Sequence, residues 1–241
     1  MVAPIVVFDL DGTLVDTAPD LIGTLNIIFA RMGLPAVPYA AARNMVGGGA
    51  RALIERGLAA EGRTVSGAEL NRLVGDFIAH YADHIAEGSR PFPGLEAALD
   101  ELARYGCRAA VCTNKLEWLA RRLLDILGLS RRFVAICGGD TFGLQKPDPE
   151  LLRRTIAAAQ GSEKQAVMIG DSISDTVMAQ AAGVPIIGVA YGYSDTPIAE
   201  LGANRVIGRL AELPGAVFEL LSLARQPLAR PGDFSGPSPA H

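Results

Sequence analysis

The sequence has no excess of positive charge. It contains 22 Lys and Arg residues against 26 Asp and Glu residues, which gives a net charge of −4 and a pI near 5.4. Nucleic acids and anionic membranes attract clusters of Lys and Arg, and the sequence contains no such cluster. We therefore expect a small molecule as the partner, with no nucleic acid and no membrane. Composition leaves a monomer and a homodimer equally open.

Long apolar runs and export signals are also lacking. No stretch reaches about eighteen uninterrupted apolar residues, the length typical of a membrane-spanning helix. Before the first apolar run stand only Met, Val, Ala and Pro, so the charged and apolar regions of a secretory signal are missing. These features predict a cytoplasmic protein.

Cysteine and histidine are scarce, with three of each. An odd number of cysteines beside apolar runs indicates reduced, buried thiols at Cys107, Cys112 and Cys137. His80 and His84 have helical spacing, but no third ligand for a zinc ion is evident. The spacing therefore favours a solvated helix face.

What the sequence does contain is a regular alternation of apolar runs and helical patterns. With 241 residues and 49% hydrophobic content, the chain can bury a sizeable core and one smaller domain. The apolar runs predict strands at 5–8, 109–112, 133–136, 166–169, 186–189 and, at an edge, 206–207. Strands that alternate with helices predict an α/β fold with a doubly wound parallel sheet.

One segment interrupts this alternation, because residues 16–90 show helical patterns and no strand signal. We predict that this segment is an all-helical cap domain inserted into an α/β core formed by residues 1–15 and 91–225. Pro, Gly and Ser crowd residues 226–241, which predicts a flexible tail. At the start of the cap, Thr17-x-x-Asp20 has the spacing of a capping box.

Polar residues follow the predicted strands, where open parallel sheets bind their ligands. They are Asp9, Asp11, Thr113, Asn114, Lys146, Asp171 and Asp175. Four carboxylates at one edge of a sheet repel one another unless a cation or a proton lies among them. Since all the candidate ligands are oxygens, with no His or Cys, the pattern favours Mg²⁺ over Zn²⁺.

Residues 9–17 read DLDGTLVDT, which resembles the first motif of the haloacid-dehalogenase-like phosphohydrolases. Thr113 is similar to the second motif of this family, Lys146 to the third, and Asp171 with Asp175 to the fourth. These motifs occur in the family's order and span most of the chain. The resemblance implies the family's α/β core with an inserted cap, and hydrolysis of a phosphate monoester.

The resemblance also implies roles for the carboxylates. Asp9 would be the nucleophile that forms an aspartyl-phosphate, and would bind Mg²⁺ together with Asp171. Asp11 would bind the metal through its backbone carbonyl and serve as general acid and then as general base. Asp175 would assist the metal shell.

Three further residues would hold the transferring group. The same resemblance implies that Thr113 and Lys146 bind the phosphoryl oxygens. The Lys146 ammonium would stabilise the negative charge of those oxygens. Asn114 offers an amide at the tip of the same strand as Thr113, which suits it to orienting phosphate oxygens.

The cap sequence at 45–51, MVGGGAR, resembles a glycine-containing loop of bacterial phosphoglycolate phosphatases. A glycine turn that opens a helix is a possible anion site, which makes Gly48 a candidate for substrate binding. Arg51 could bind a second charged end of the substrate, such as a carboxylate. The alternative is a plain turn between helices with an exposed arginine.

The motifs leave other activities open. A phosphatase for another small phosphate, such as an amino-sugar phosphate or pyrophosphate, or a phosphosugar mutase would use the same core. A receiver module that only accepts phosphate on Asp has a similar sheet. Asp11 and the inserted cap of about 75 residues disfavour the receiver, which would be one ordinary domain long.

Overall fold

The computed structural model describes residues 3–222, so the tail predicted for 226–241 lies outside the described residues. Its strands are β1 (Ile5–Phe8), β2 (Val15–Asp16), β3 (Arg90–Pro91), β4 (Arg108–Cys112), β5 (Phe133–Cys137), β6 (Ala166–Gly170), β7 (Ile186–Val189) and β8 (Arg205–Ile207). Six of them form one parallel sheet in the order β5-β4-β1-β6-β7-β8. The predicted strands and the parallel α/β sheet are confirmed.

Helices connect these strands. They are α1 (Ala18–Arg31), α2 (Tyr39–Ala42), α3 (Gly49–Ala60), α4 (Gly67–Asp83), α5 (Leu95–Arg104), α6 (Glu117–Ile126), α7 (Pro149–Ala158), α8 (Ile173–Ala182) and α9 (Leu213–Leu220). Between β2 and β3 the regular elements are α1–α4 and one 3-10 turn, as expected for a helical insertion. Within residues 3–222, no helix is long and apolar enough to cross a membrane.

Strand β1 lies at the centre of the sheet, paired with β4 on one side and β6 on the other. Its four residues are completely buried, because helices cover both faces of the sheet. Val6 and Phe8 pack into the larger core cluster, whereas Ile5 and Val7 pack on the other face with residues of α7 and α8. The apolar run therefore ends at the middle of the sheet edge, which places Asp9 there.

A short antiparallel ribbon joins the helical insertion to the rest of the chain. Val15 pairs with Pro91 and Asp16 pairs with Arg90. The expectation that residues 16–90 contain no strand was therefore wrong at its two ends. A strand of two residues is too short to produce an alternating pattern in the sequence, so no local signal marks it.

The capping box predicted at the start of α1 was also wrong. The Thr17 side chain makes no capping hydrogen bond, and its hydroxyl donates to Asp11 Oδ1 at 2.7 Å. The Asp20 carboxylate accepts the backbone N–H groups of Gly88 at 2.7 Å and Ser89 at 2.8 Å. Both side chains therefore bond to distant residues instead of capping α1. Asp20 also joins the start of the helical insertion to its end at residues 88–89.

The cysteine prediction is confirmed, since Cys107, Cys112 and Cys137 are buried and free of disulfides. Burial raises the pKa of the Cys112 thiol to about 12, which keeps it protonated and unreactive at neutral pH. The His80 and His84 rings stack with their centroids 4.4 Å apart, and His84 Nδ1 lies 2.7 Å from Glu87 Oε1. The His84 side chain is 44% exposed, as expected for a solvated helix face.

Two glycines inside helices of the insertion provide a matched test of how α3 packs on α1. A Cβ atom on Gly57 would lie 2.8 Å from Phe29 Cζ, whereas a Cβ atom on Gly75 would meet nothing within 4 Å. Both alanine variants gain similar helix propensity, so we expect Gly57→Ala to be less stable than Gly75→Ala by about 1–3 kcal/mol because of overpacking. Urea unfolding measures the difference, and equal free energies of unfolding would contradict the packing of α3 on α1.

Candidate active site

The candidate site lies at the carboxyl ends of β1 and β6. Asp9 follows β1, and its backbone N–H donates to the Ile169 carbonyl at 2.9 Å. Carboxylate oxygens of Asp9, Asp171 and Asp175 lie within 4.8 Å of one another, and all three residues are buried. The sheet edge therefore gathers three carboxylates into one group, which we call the carboxylate cluster.

Lys146, from the loop between β5 and α7, enters this cluster. Its Nζ atom lies 2.7 Å from Asp9 Oδ1 and 2.6 Å from Asp175 Oδ1, with only 1% of its side chain exposed. Burial by itself lowers the pKa of the ammonium, but the Asp175 and Asp9 carboxylates outweigh burial and raise that pKa above its usual value. Lys146 is therefore charged.

One ammonium does not balance three carboxylates. Burial raises the pKa of Asp9 well above its usual value, and repulsion from Asp175 and Asp171 adds to the rise, although Lys146 opposes it. Burial, followed by repulsion from Asp175, raises the pKa of Asp171 to about 6. Such shifts mark a site that favours a further positive charge among the oxygens.

The donor set fits a divalent cation. All three members of the carboxylate cluster offer hard oxygen ligands, and hard divalent cations bind through such oxygens. The negative charge that Lys146 leaves unbalanced is the physical reason for a cation here. Asp9, Asp171 and Asp175 are therefore the residues that could hold it.

Four residues fix the Asp171 carboxylate. Thr13 Oγ1 donates to Oδ1 at 2.8 Å, and the Tyr193 backbone N–H donates to Oδ2 at 2.8 Å. A Cβ atom on Gly12 would lie 2.6 Å from Asp171 Oδ2, and one on Gly192 would lie 2.1 Å from Asp171 Cβ. Only glycine permits so close an approach, so the turn after Asp11 and the loop after β7 both press against this carboxylate.

Asp175 has two structural roles in addition to its place in the cluster. It forms a reciprocal capping box with Ser172 at the start of α8, where Asp175 Oδ2 accepts the Ser172 backbone N–H at 3.1 Å. Its other oxygen, Oδ1, accepts from Lys146. The helix end therefore fixes the carboxylate that positions the lysine.

Asp11 faces away from the cluster toward the helical insertion. Its Oδ1 atom accepts from the Thr17 hydroxyl at 2.7 Å and lies 3.1 Å from Lys115 Nζ. The Lys115 ammonium lies 4.6 Å from the centroid of the Tyr81 ring, on α4. The Asp11 side chain is therefore outside the carboxylate cluster, and its backbone carbonyl remains the atom predicted to meet a metal.

The two polar residues after β4 lie beside Lys146 and Lys115. Thr113 is 1% exposed, and its Oγ1 atom accepts the Lys115 backbone N–H at 3.2 Å. Asn114 Oδ1 accepts the Lys146 backbone N–H at 2.8 Å. The amide of Asn114 thus orders the loop that carries Lys146, a contact that the sequence did not predict.

Two residues of the site had no role in the sequence analysis. Lys115 is buried against Asp11, and Tyr193 accepts the backbone N–H groups of Thr17 and Ala18 with its hydroxyl at 2.8 and 3.0 Å. Lys115 stands two residues after Thr113, and the tyrosine follows β7. The rule that ligand sites form after parallel strands could have found both.

Two adjoining cavities open onto these residues. One, of about 460 Å³, is lined by Asp11, Lys115 and Tyr81; the other, of about 640 Å³, is lined by Lys146 and Asp171.

The glycine-containing loop at residues 45–51 lies between the cavities. Gly48, Asn114 and Gln145 line both of them, whereas Arg51 lines only the smaller one. The Arg51 guanidinium is exposed and donates to Asn71 Oδ1 on α4. The structure therefore places Gly48 at the junction and Arg51 at the outer wall.

Comparison with known proteins identifies the family. The sequence profile of the haloacid dehalogenase-like hydrolases matches residues 6–189. A phosphoglycolate phosphatase of Caulobacter vibrioides is 46% identical over 222 residues, which cover 92% of this chain and 94% of that protein. One from Agrobacterium fabrum is 46% identical over 219 residues, covering 91% and 94%.

Solved structures of similar proteins support the same family. A predicted phosphoglycolate phosphatase from Haemophilus somnus 129PT superposes with a TM-score of 0.82 at 26% identity, covering 89% of this chain and 97% of that one. CbbY from Rhodobacter sphaeroides, solved in complex with phosphate, has a TM-score of 0.71 at 25% identity, covering 88% and 96%. With the profile matched over most of its length, the chain belongs to the haloacid dehalogenase-like hydrolases.

Proposed function

We propose that this protein is a Mg²⁺-dependent phosphoglycolate phosphatase that converts 2-phosphoglycolate and water to glycolate and phosphate. The observation that carries the proposal is the buried Asp9 carboxylate in contact with the Lys146 ammonium at 2.7 Å. A nucleophile and a fixed positive charge at one point are what phosphoryl transfer needs. The names of the relatives at 46% identity support the choice of substrate.

In the first step an Asp9 oxygen attacks phosphorus, and the bond between phosphorus and the ester oxygen breaks. Asp11 gives its proton to the departing glycolate oxygen, which leaves a phosphorylated Asp9 and an ionised Asp11. The Thr17 hydroxyl, 2.7 Å from Asp11 Oδ1, and the Lys115 ammonium, 3.1 Å from it, hold this carboxyl group in place.

In the second step Asp11 takes a proton from water, and the water oxygen attacks phosphorus. The bond between Asp9 and phosphorus breaks, phosphate leaves, and both carboxyl groups return to their starting states. Throughout, Lys146 and the Thr113 hydroxyl bind phosphoryl oxygens, and Asn114 orders the Lys146 loop through its hydrogen bond at 2.8 Å.

Asp9, Asp171 and the Asp11 backbone carbonyl would hold Mg²⁺, and Asp175 would support this shell through Lys146. The bound cation supplies charge stabilisation for the phosphoryl oxygens. Residues 16–90 would act as the cap domain over the site. Arg43 links this cap to the core, since its Nη2 atom donates to the Tyr191 carbonyl at 2.8 Å.

A phosphatase for a larger ester, such as an amino-sugar phosphate, is the second candidate because the smaller cavity, at about 460 Å³, lies within the usual range for small-molecule sites. Phosphate release from a panel of esters with Mg²⁺ tests the choice. We expect the highest kcat/KM for 2-phosphoglycolate. A higher value for a sugar phosphate would favour the second candidate, and transfer of phosphate between positions of a sugar would favour a mutase.

The nucleophile is tested by Asp9→Asn, which keeps the size of the side chain but removes its nucleophilic oxygen. We expect phosphate release to fall by at least about 10³-fold. Asp76→Asn is the matched control, since the Asp76 side chain on α4 is 45% exposed. Near-normal turnover by a folded Asp9→Asn enzyme would refute the assignment.

The metal is tested by removal. We expect EDTA to abolish activity and added Mg²⁺ to restore it, since the carboxylate cluster has more negative charge than Lys146 can balance. Potassium chloride at equal ionic strength serves as the control for simple screening. Full activity after exhaustive chelation would contradict a metal-dependent mechanism.

A further inference from the structure

The Tyr81 side chain on α4 has an unusual environment. Tyr81 is 1% exposed, and within residues 3–222 its buried hydroxyl has no hydrogen-bond acceptor, because the neighbour of its oxygen is Lys115, which is itself a donor. Leaving a buried hydroxyl unpaired costs about 1–3 kcal/mol. Because Tyr81 lines the 460 Å³ cavity, a ligand in that cavity could provide the missing acceptor.

Lys115 lies against the same tyrosine. Its side chain is 5% exposed, and its Nζ atom lies 4.6 Å from the centroid of the Tyr81 ring and 3.1 Å from Asp11 Oδ1. Burial lowers the pKa of Lys115, but the neighbouring Asp11 and Tyr81 outweigh burial and raise it above the usual value. A charged amine and an unpaired hydroxyl donor therefore share one wall of the cavity.

The cavity that contains this wall adjoins the cavity that contains the proposed phosphoryl site. The 640 Å³ cavity, which contains Lys146 and Asp171, shares Gly48, Asn114 and Gln145 with the 460 Å³ cavity. An ester with its phosphoryl group at Lys146 would therefore extend its leaving group past Asp11 into the smaller cavity.

The rest of that cavity is largely apolar. Its walls include Leu21, Leu53, Phe77, Ile78 and Leu119. A carboxylate entering such walls needs charged or hydrogen-bonding partners, because burying it unpaired is costly. Arg51, the candidate that the sequence offered for this role, is exposed and already donates to Asn71.

We infer that Lys115 and Tyr81 form the binding subsite for the carboxylate of the leaving group. The Tyr81 hydroxyl donates to one carboxylate oxygen, and the Lys115 ammonium pairs with the same group. Burial raises the pKa of Tyr81 to about 12, so the hydroxyl keeps its proton at neutral pH. This inference rests on the proposed function and names the residues that give it its selectivity.

The test compares 2-phosphoglycolate with ethyl phosphate, in which a methyl group replaces the carboxylate. Tyr81→Phe removes only the hydroxyl. Since a hydrogen bond to a charged group contributes about 1.5–3 kcal/mol, we expect the ratio of kcat/KM values for the two esters to fall about tenfold or more, mainly through KM for 2-phosphoglycolate. The rate with ethyl phosphate stays close to that of the unchanged enzyme.

Tyr105→Phe is the matched control, because Tyr105 packs against Phe218, with ring centroids 4.4 Å apart, away from both cavities. It should leave the ratio unchanged. Removing an unpaired hydroxyl should not lower the thermal unfolding midpoint of Tyr81→Phe, whereas a structural hydroxyl would. Lys115→Met should lower the ratio too, in addition to any general loss through Asp11.

Three results would overturn the inference. An unchanged ratio in Tyr81→Phe, with a clear preference for 2-phosphoglycolate in the unchanged enzyme, would reject the subsite and leave the proposed function intact. A loss of preference in Arg51→Gln but not in Tyr81→Phe would move the subsite to Arg51. No preference for the carboxylate in the unchanged enzyme would reject the subsite and the proposed function together.

Discussion

The buried ammonium of Lys146 between Asp9 and Asp175 is the interaction on which the rest of the site depends. It joins three segments that are far apart in the sequence, with contacts of 2.7 and 2.6 Å in a space almost closed to water. Removing one partner from a buried ion pair costs about 3–5 kcal/mol, because the other charge is left uncompensated. The ion pairs that join the three segments therefore also hold the proposed nucleophile in place.

The sheet explains how these segments meet. Since β1 lies between β4 and β6, and β5 lies next to β4, the loops that follow these four strands leave from neighbouring points of one edge. Two of the loops could not approach Asp171 if Gly12 or Gly192 carried a side chain. Capping at α8 then orients Asp175, and Asn114 orders the backbone of Lys146. The start of α8 and the turn after β4 therefore position Asp175 and Lys146, in addition to their roles in the fold.

Hydrogen bonds join the helical insertion directly to Asp11 and Tyr193 of the candidate site. Thr17, just before α1, donates to Asp11, and the same residue gives its backbone N–H to the Tyr193 hydroxyl. Asp20, one turn later, binds Gly88 and Ser89 at the other crossing. A movement of α1 would therefore reach the Asp11 side chain through Thr17, and Asp171 through Tyr193.

The sequence by itself determined the six strands of the parallel sheet and the polar residues at its edge, because apolar runs and residue spacing are local properties of the chain, whereas β2 and β3 were too short to leave such a pattern. Only the tertiary structure decided that Lys146 bridges Asp9 and Asp175, that Thr17 serves Asp11 instead of its helix, and that Lys115 lies beside Tyr81. Those contacts join residues from separate elements, so their distances depend on how the elements pack. No pattern along the chain encodes such distances.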